Sequence, residues 1–272
     1  MIKITVKGGL GNQMFQYAFA RSLAISMSTE VTVDTSWINT RRRKIVPRQY
    51  GLPHLSVKVS DVEISEDARV FAEPRMFHKK YASELVDSII SGESSDVWLV
   101  DGYWQSYKYF EKHADTIAQE FIPKLPLPDC VGDIVSDIKE SNSVLIHVRR
   151  ADYVGSPVHP CYGADYIEKC LSFINKIVDN PRLFIFSDDI EWCHQNLSLP
   201  NSRFVDVLHD APHYNMYLMS LCDHFIIPAS TFSWWSAWLG KHKDKIVIYP
   251  KVWFLDPAIN TSDLTPTNWI SV

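Results

Sequence analysis

Apolar and polar residues alternate from the start of the chain. Ile2, Ile4 and Val6 fall on one parity with Lys3 and Thr5 between them, so this stretch predicts a short strand. The run "GGLGNQMFQYAFARSLA" (Gly8 to Ala24) follows, a glycine turn opening into a helix. Val31 to Asp34 predicts a second strand about 20 residues after the turn, the spacing of a βαβ unit. Residues 36–95 show no sustained period; Pro47, Pro53 and Pro74 punctuate them, and the reading is loops and short helices. "DVWLVDGYWQS" (Asp96 to Ser106) predicts a strand with a glycine turn, and helical periodicity runs from Tyr107 to Phe121. Three prolines in the eight residues Ile122 to Asp129 then read as a stiff linker.

The second half alternates more clearly. Strands are predicted at Ser143 to Val148, Arg182 to Ser187, Arg203 to Val207, Phe225 to Pro228 and, last, Lys245 to Pro250. Helices are predicted between them, at Ala164 to Val178, Tyr214 to Cys222 and Thr231 to Gly240. Strands separated by helices imply a parallel, doubly wound sheet. The first half repeats the pattern more weakly. The chain therefore reads as α/β, with two Rossmann-like halves, residues 1–125 and 126–272, and without internal repeat or low-complexity tract.

Composition narrows the function. A chain of 272 residues can bury a core without disulfide or metal support. The net charge of −5 argues against non-specific nucleic-acid binding. Cys130, Cys161, Cys170, Cys193 and Cys222 are odd in number and form no C-x-x-C pair, which suits a reducing, cytoplasmic compartment and no structural zinc. No secretory signal and no membrane-spanning run is read. "RRRK" (Arg41 to Lys44) is either a solvated loop or a peripheral contact with anionic lipid at the inner face of a membrane.

Ligands of a doubly wound sheet sit beyond the carboxyl ends of its strands. Four groups fall there: Gly8 to Gln13, His147 to Asp152, Ser187 to Asp189, and Ala229 to Ser233. If both sheets face one cleft, all four converge on it. The first turn partly matches the dinucleotide fingerprint, with Gly9, Gly11 and Asp34 in place but Met14 where the third glycine belongs. Asn12 and Gln13 at the helix start suit a hydroxyl-rich ligand or a phosphate. In "HVRRADY" (His147 to Tyr153), two arginines leave a buried strand; a guanidinium fork there fits phosphate oxygens, or pairs with Asp152 to lock a loop. His147 is either functional or a satisfied core histidine. Asp188 and Asp189 either accept from ribose hydroxyls and a base edge or cap the next helix. Ser230, Thr231 and Ser233 open a helix whose free amides form an anion site, while Trp234, Trp235 and Trp238 read as core. A P-loop and a nucleophile elbow are both missing.

Taken together, "GGLGNQMFQYAFARSLA", "HVRRADY", "FSDD" and "LMSLCDHFIIPASTFSWWSAWL" resemble the α-1,2-fucosyltransferases of the blood-group H and bacterial O-antigen type, over Gly8 to about Leu239. The resemblance implies a GT-B-like fold, two Rossmann-like doubly wound domains facing a central cleft. It implies GDP-L-fucose as donor, the 2-hydroxyl of a terminal galactose as acceptor, inversion at the anomeric carbon, and no divalent metal or other cofactor. By similarity Arg149 binds the diphosphate, Ser230 to Ser233 (with Thr231 and Phe232) line the same phosphates, Asp188 and Asp189 face ribose or guanine, and Asn12 reaches across from the other domain. Gly11, Gln13, Arg150 and Asn215 complete the donor-binding set. Asp152 is the first candidate for the base and His147 the second.

Three positions depart from the family pattern: Ala151 for a glycine, Ala229 for an asparagine, and Asn215 for an acid that in related enzymes recognises guanine. An amide accepts but also presents hydrogens to the guanine donors. The alternatives are a sister transferase using another GDP-sugar, a nicotinamide-dependent oxidoreductase resting on Gly9, Gly11 and Asp34, and a non-catalytic sugar-binding protein.

Overall fold

The computed structural model describes residues 1–40, 48–61, 69–73, 81–92 and 97–272. The basic cluster 41–44 and much of the 36–95 region lie outside the described residues. The chain divides into two compact units, Met1–Lys124 with Ala258–Pro266, and Leu125–Pro257 with Thr267–Val272.

The first unit carries β1 (Ile2–Thr5), α1 (Leu10–Ser26), β2 (Val31–Asp34), α2 (Ser36–Asn39), β3 (Arg69–Ala72), α3 (Ser83–Ile90), β4 (Trp98–Asp101) and α4 (Ala114–Glu120). Its strands form one parallel sheet in the order β2-β1-β4-β3. The alternation that predicts β1 has its cause in burial, since Ile2, Ile4 and Val6 are all fully buried. Helix α1 is buried nearly all round, with Met14, Phe15, Tyr17, Ala18 and Phe19 inaccessible to solvent. The predicted helix over 107–121 is shorter than expected. Tyr107–Tyr109 and Glu111–His113 are tight 3-10 turns and only Ala114–Glu120 is α-helical. Phe110 breaks the run with φ −135°, a backbone that sends its ring into the core beside Phe15 at 6.1 Å. Tertiary packing overrides local periodicity here.

The second unit carries α5 (Gly132–Lys139), β5 (Ser143–Val148), α6 (Ala164–Ile174), β6 (Arg182–Ser187), α7 (Ile190–Asn196), β7 (Ser202–Val205), α8 (Pro212–Met219), β8 (His224–Ile226), α9 (Thr231–Leu239), β9 (Val247–Tyr249) and β10 (Ile270–Ser271). All six strands are parallel, in the order β10-β9-β8-β5-β6-β7. Numbered from β5, this is the order 3-2-1-4-5-6 of a dinucleotide-binding sheet. Every residue of β5 is buried, as expected of a central strand covered on both faces. The expected last strand, 245–250, is followed by one more: β10 pairs with β9 and, at two residues, is too short to leave a periodic trace. The strand order reverses between β5 and β8. Ligand crevices form at such a switch point.

Candidate active site

The switch point of the second unit is furnished by two strand ends. From β5 the chain runs through Arg149 and Arg150 into the 3-10 turn Ala151–Tyr153. From β8 it runs through Pro228 and Ala229 into α9, whose cap Ser230 makes no side-chain capping bond and whose first turn holds no acid. Helix geometry leaves the amides of Thr231, Phe232 and Ser233 without an intrahelical acceptor, because Trp234 is the first to bond back, to the Ser230 carbonyl at 2.9 Å. Such an end attracts an anion. Two bonds tie the strand ends together: the His147 imidazole Nδ1 bonds the Ser233 hydroxyl, and the Tyr153 hydroxyl donates to the Ala229 carbonyl at 2.9 Å.

Arg149 lies at this crevice with its side chain 23% exposed. Its Nη2 meets Asp152 Oδ1 at 2.5 Å and its Nη1 meets Asp188 Oδ2 at 2.6 Å. The Tyr153 ring lies beneath the guanidinium, 5.5 Å from centroid to Cζ. Arg150 is held differently. It stacks on the Trp192 ring at 3.9 Å and gives Nε to Asp189 Oδ2 at 3.0 Å. Arg150 is thus fixed against the start of α7, and it is Arg149 that makes the pair with Asp152. Tyr153 and Trp192 were not singled out from the sequence as arginine holders. Their signals were present, Tyr153 as the last letter of "HVRRADY" and Trp192 three residues after Asp189.

Several expected contacts fall out on inspection. His147 is buried to 8% exposure, and burial, helped by the Arg149 charge, pushes its pKa down to about 3. With its Nδ1 on Ser233, burial favours the neutral imidazole in the fold. Ser233 is wholly buried and its hydroxyl bonds the His147 imidazole. Ser230 is nearly buried, at 5%. Asp189 caps α7, accepting from the Trp192 amide at 3.2 Å. Asp188 takes the Arg150 amide on Oδ1 at 2.8 Å and Arg149 on Oδ2. Asn215 gives Nδ2 to the Leu208 carbonyl at 3.2 Å, and its buried Oδ1 has no hydrogen-bond partner. Leu208 sits at φ +60°, a strained backbone that this bond supports.

Gly11, Asn12 and Gln13 belong to the first unit. Asn12 Oδ1 accepts from the Gln105 amide at 2.8 Å. Gln13 is wholly buried; it donates to the Gly8 and Gln49 carbonyls and accepts from the Gly51 amide at 2.9 Å. Its amide is a staple between the first turn and the 49–51 loop. Gly8 has φ +74°, the reason a glycine stands there. Asp34, the acid of the nicotinamide reading, accepts from the Ser36 amide at 2.9 Å and the Thr5 hydroxyl at 3.3 Å. Met14, at the third glycine position, is fully buried. Among the described residues no group of three or more His, Cys, Asp or Glu side chains is placed to hold a metal ion, and no helix is long and apolar enough to cross a membrane.

The family model for glycosyl transferase family 11 matches residues 1–272. The chain is 28% identical over 283 residues to an alpha-1,2-colitosyltransferase of Escherichia coli, covering 97% of this chain and 96% of that protein. It is 25% identical over 293 residues to a galactoside 2-alpha-L-fucosyltransferase of Caenorhabditis elegans, covering 99% of this chain and 78% of that one. Among solved structures it resembles the fucosyltransferase POFUT1 in complex with GDP-fucose (TM-score 0.52, 13% identity, 91% of this chain and 97% of that chain). It also resembles the alpha-1,6-fucosyltransferase NodZ co-crystallised with GDP (TM-score 0.51, 16% identity, 87% and 91%). These are likenesses of fold, and they put the two parallel sheets in the GT-B-like α/β class.

Proposed function

Because the chain belongs to glycosyl transferase family 11, we propose that it moves L-fucose from GDP-L-fucose to the 2-hydroxyl of a terminal galactose in a glycan, with inversion and without a divalent metal. One observation carries this reading. Arg149 and the uncapped amides of α9 stand at the same strand-order reversal, where a nucleotide diphosphate binds in a sheet of this topology. Relatives named for an α-1,2 linkage support it, the colitosyltransferase and the galactoside 2-alpha-L-fucosyltransferase among them.

The reaction is a single displacement. The acceptor oxygen forms its bond to the anomeric carbon as the bond from that carbon to the phosphate oxygen breaks. The electron pair leaves with GDP, and the hydroxyl proton passes to a carboxylate, for which Asp152 is the candidate. Charge grows on the departing phosphate, so a guanidinium already fixed in place stabilises the transition state more than the ground state.

Losing such a contact costs about 3 kcal/mol in barrier, roughly a hundredfold in rate. Arg149→Ala is therefore expected to lose at least that much turnover with GDP-fucose and a galactoside while keeping its melting temperature. A rate near that of the parent rules the role out. EDTA is expected to leave the rate unchanged, and a rate restored only by added magnesium or manganese overturns the metal-free reading.

A second reading, a sister transferase using another GDP-sugar, is favoured by the colitosyltransferase likeness. A panel of GDP-sugars against galactoside acceptors, with product linkages solved, separates the two readings.

A further inference from the structure

We infer that Asp188 is a positioning residue for Arg149, holding the guanidinium in the orientation that meets the diphosphate, and is not a contact to the nucleoside. The inference rests on the reading of Arg149 given above and deepens it.

The first argument is register. Val148 and Ser187 are paired neighbours across β5 and β6. Arg149 and Asp188 are each one residue beyond that pair. The sheet therefore delivers a cation and an anion side by side at its carboxyl edge, at Nη1 to Oδ2 2.6 Å. The pairing is made by fully buried strand residues such as Ile146 and Ile185, so a slip would repack the core on both faces of the sheet.

The second argument is saturation. Asp188 has both oxygens occupied inside its own unit, Oδ1 by the Arg150 amide at 2.8 Å and Oδ2 by Arg149. Oδ1 anchors the carboxylate to the backbone and Oδ2 presents it to the guanidinium. Asp152 grips the other terminal nitrogen at 2.5 Å, and the Tyr153 ring lies under the guanidinium plane. Two carboxylates and a ring, from the Ala151–Tyr153 turn and the end of β6, define where the planar group sits. Five N–H donors are available on a guanidinium and these pairs engage two, so donors remain for an anion.

The third argument is energetic. A free arginine side chain loses rotamer freedom when immobilised. A side chain already immobilised before the ligand arrives does not lose it again, and its charge needs no reorganisation as the bond breaks. Both carboxylates weaken the net positive charge that the ligand meets. The arrangement thus favours orientation over gross attraction, as expected of a group that acts on a developing charge.

The test is a double-mutant cycle read by binding and by turnover. Asp188→Asn keeps an oxygen for the Arg150 amide and removes the charge facing Arg149. GDP and guanosine are titrated calorimetrically against the wild type, Asp188→Asn, Arg149→Ala and the double variant, and turnover is measured on each. We expect Asp188→Asn to lose about tenfold to a hundredfold in kcat, guanosine affinity to stay within about twofold, and the double variant to be no slower than Arg149→Ala alone. Guanosine binding weakened about tenfold by Asp188→Asn, or losses that multiply in the double variant, overturn the inference. If Arg149→Ala alone keeps GDP affinity and rate, the parent reading fails instead, and that result is distinct from the others. Should Asp188→Asn not fold, Asp188→Glu keeps the charge, moves it by one methylene, and is judged by the same titrations and the same cycle.

Discussion

A histidine kept neutral inside a strand has a thermodynamic signature. His147 titrates near 3 in the folded protein, driven first by burial and then by the Arg149 charge, against about 6.5 in an unfolded chain. Between those values the unfolded chain binds a proton that the folded one refuses. Folding stability therefore falls as pH drops from about 6.5 towards 3, by up to roughly 1.4 kcal/mol per pH unit from this group. Carboxylates contribute to any acid loss as well, so the comparison with a variant is the decisive one. His147→Asn is expected to lose about 2 kcal/mol less between pH 7 and pH 5 than the wild type, measured by chemical denaturation. Equal losses would mean that the imidazole is protonated in the fold. Turnover should show no limb assignable to this residue.

At the level of the element, α9 is held at both ends by different chemistry. Its first turn is left open towards the crevice, while its last turn is closed by Lys245, whose Nζ donates to the carbonyls of Ala237, Trp238 and Gly240 at 2.8, 3.0 and 2.7 Å. A cation on the last carbonyls complements the helix dipole and satisfies acceptors that have no amide partner. Lys245→Met keeps the stem and removes the donors. It is expected to destabilise the protein by roughly 2–4 kcal/mol, read by denaturation at neutral pH. An effect under about 0.5 kcal/mol would show that water replaces the ammonium without cost.

The same helix explains what the sequence could and could not disclose. The strand-end positions of Arg149, Asp188 and Ser230 were legible because a buried apolar run followed by polar residues marks where a parallel strand stops. The partners of those residues were not legible. Gln13 and Ser233 look like ligand-facing polar residues in the sequence, yet the staple on Gly51 and the bond to His147 arise from chain segments 38 and 86 residues away. Local pattern carries no record of such closures. Phe110 and β10 were missed for a related reason, one being set by a distant ring and the other too short to show a period.

At the scale of the whole molecule, the segment 258–266 matters out of proportion to its length. It is part of the first unit although it follows nearly all of the second in the chain. Asp263 pairs with Lys108 Nζ at 2.6 Å and accepts from the Tyr81 amide at 2.9 Å, and Leu264 is 1% exposed. Leu264→Ala removes a buried side chain and is expected to cost roughly 2–4 kcal/mol. Hydrogen exchange localises that cost: protection should fall in β1 and β4 and hold in β5 and β6. Equal loss in both sheets would mean that the two units open as one.

A ribosome delivers residues in order, so the first sheet leaves it well ahead of the nine residues that finish its packing. Until those arrive, a half-built hydrophobic surface waits in a crowded cell while the other lobe condenses downstream, an interval in which chaperones or aggregation compete for it. Severing the chain at the proline-rich junction would not yield two self-sufficient proteins, and a graft of either lobe onto a foreign partner must carry the late strand of sequence with the early one.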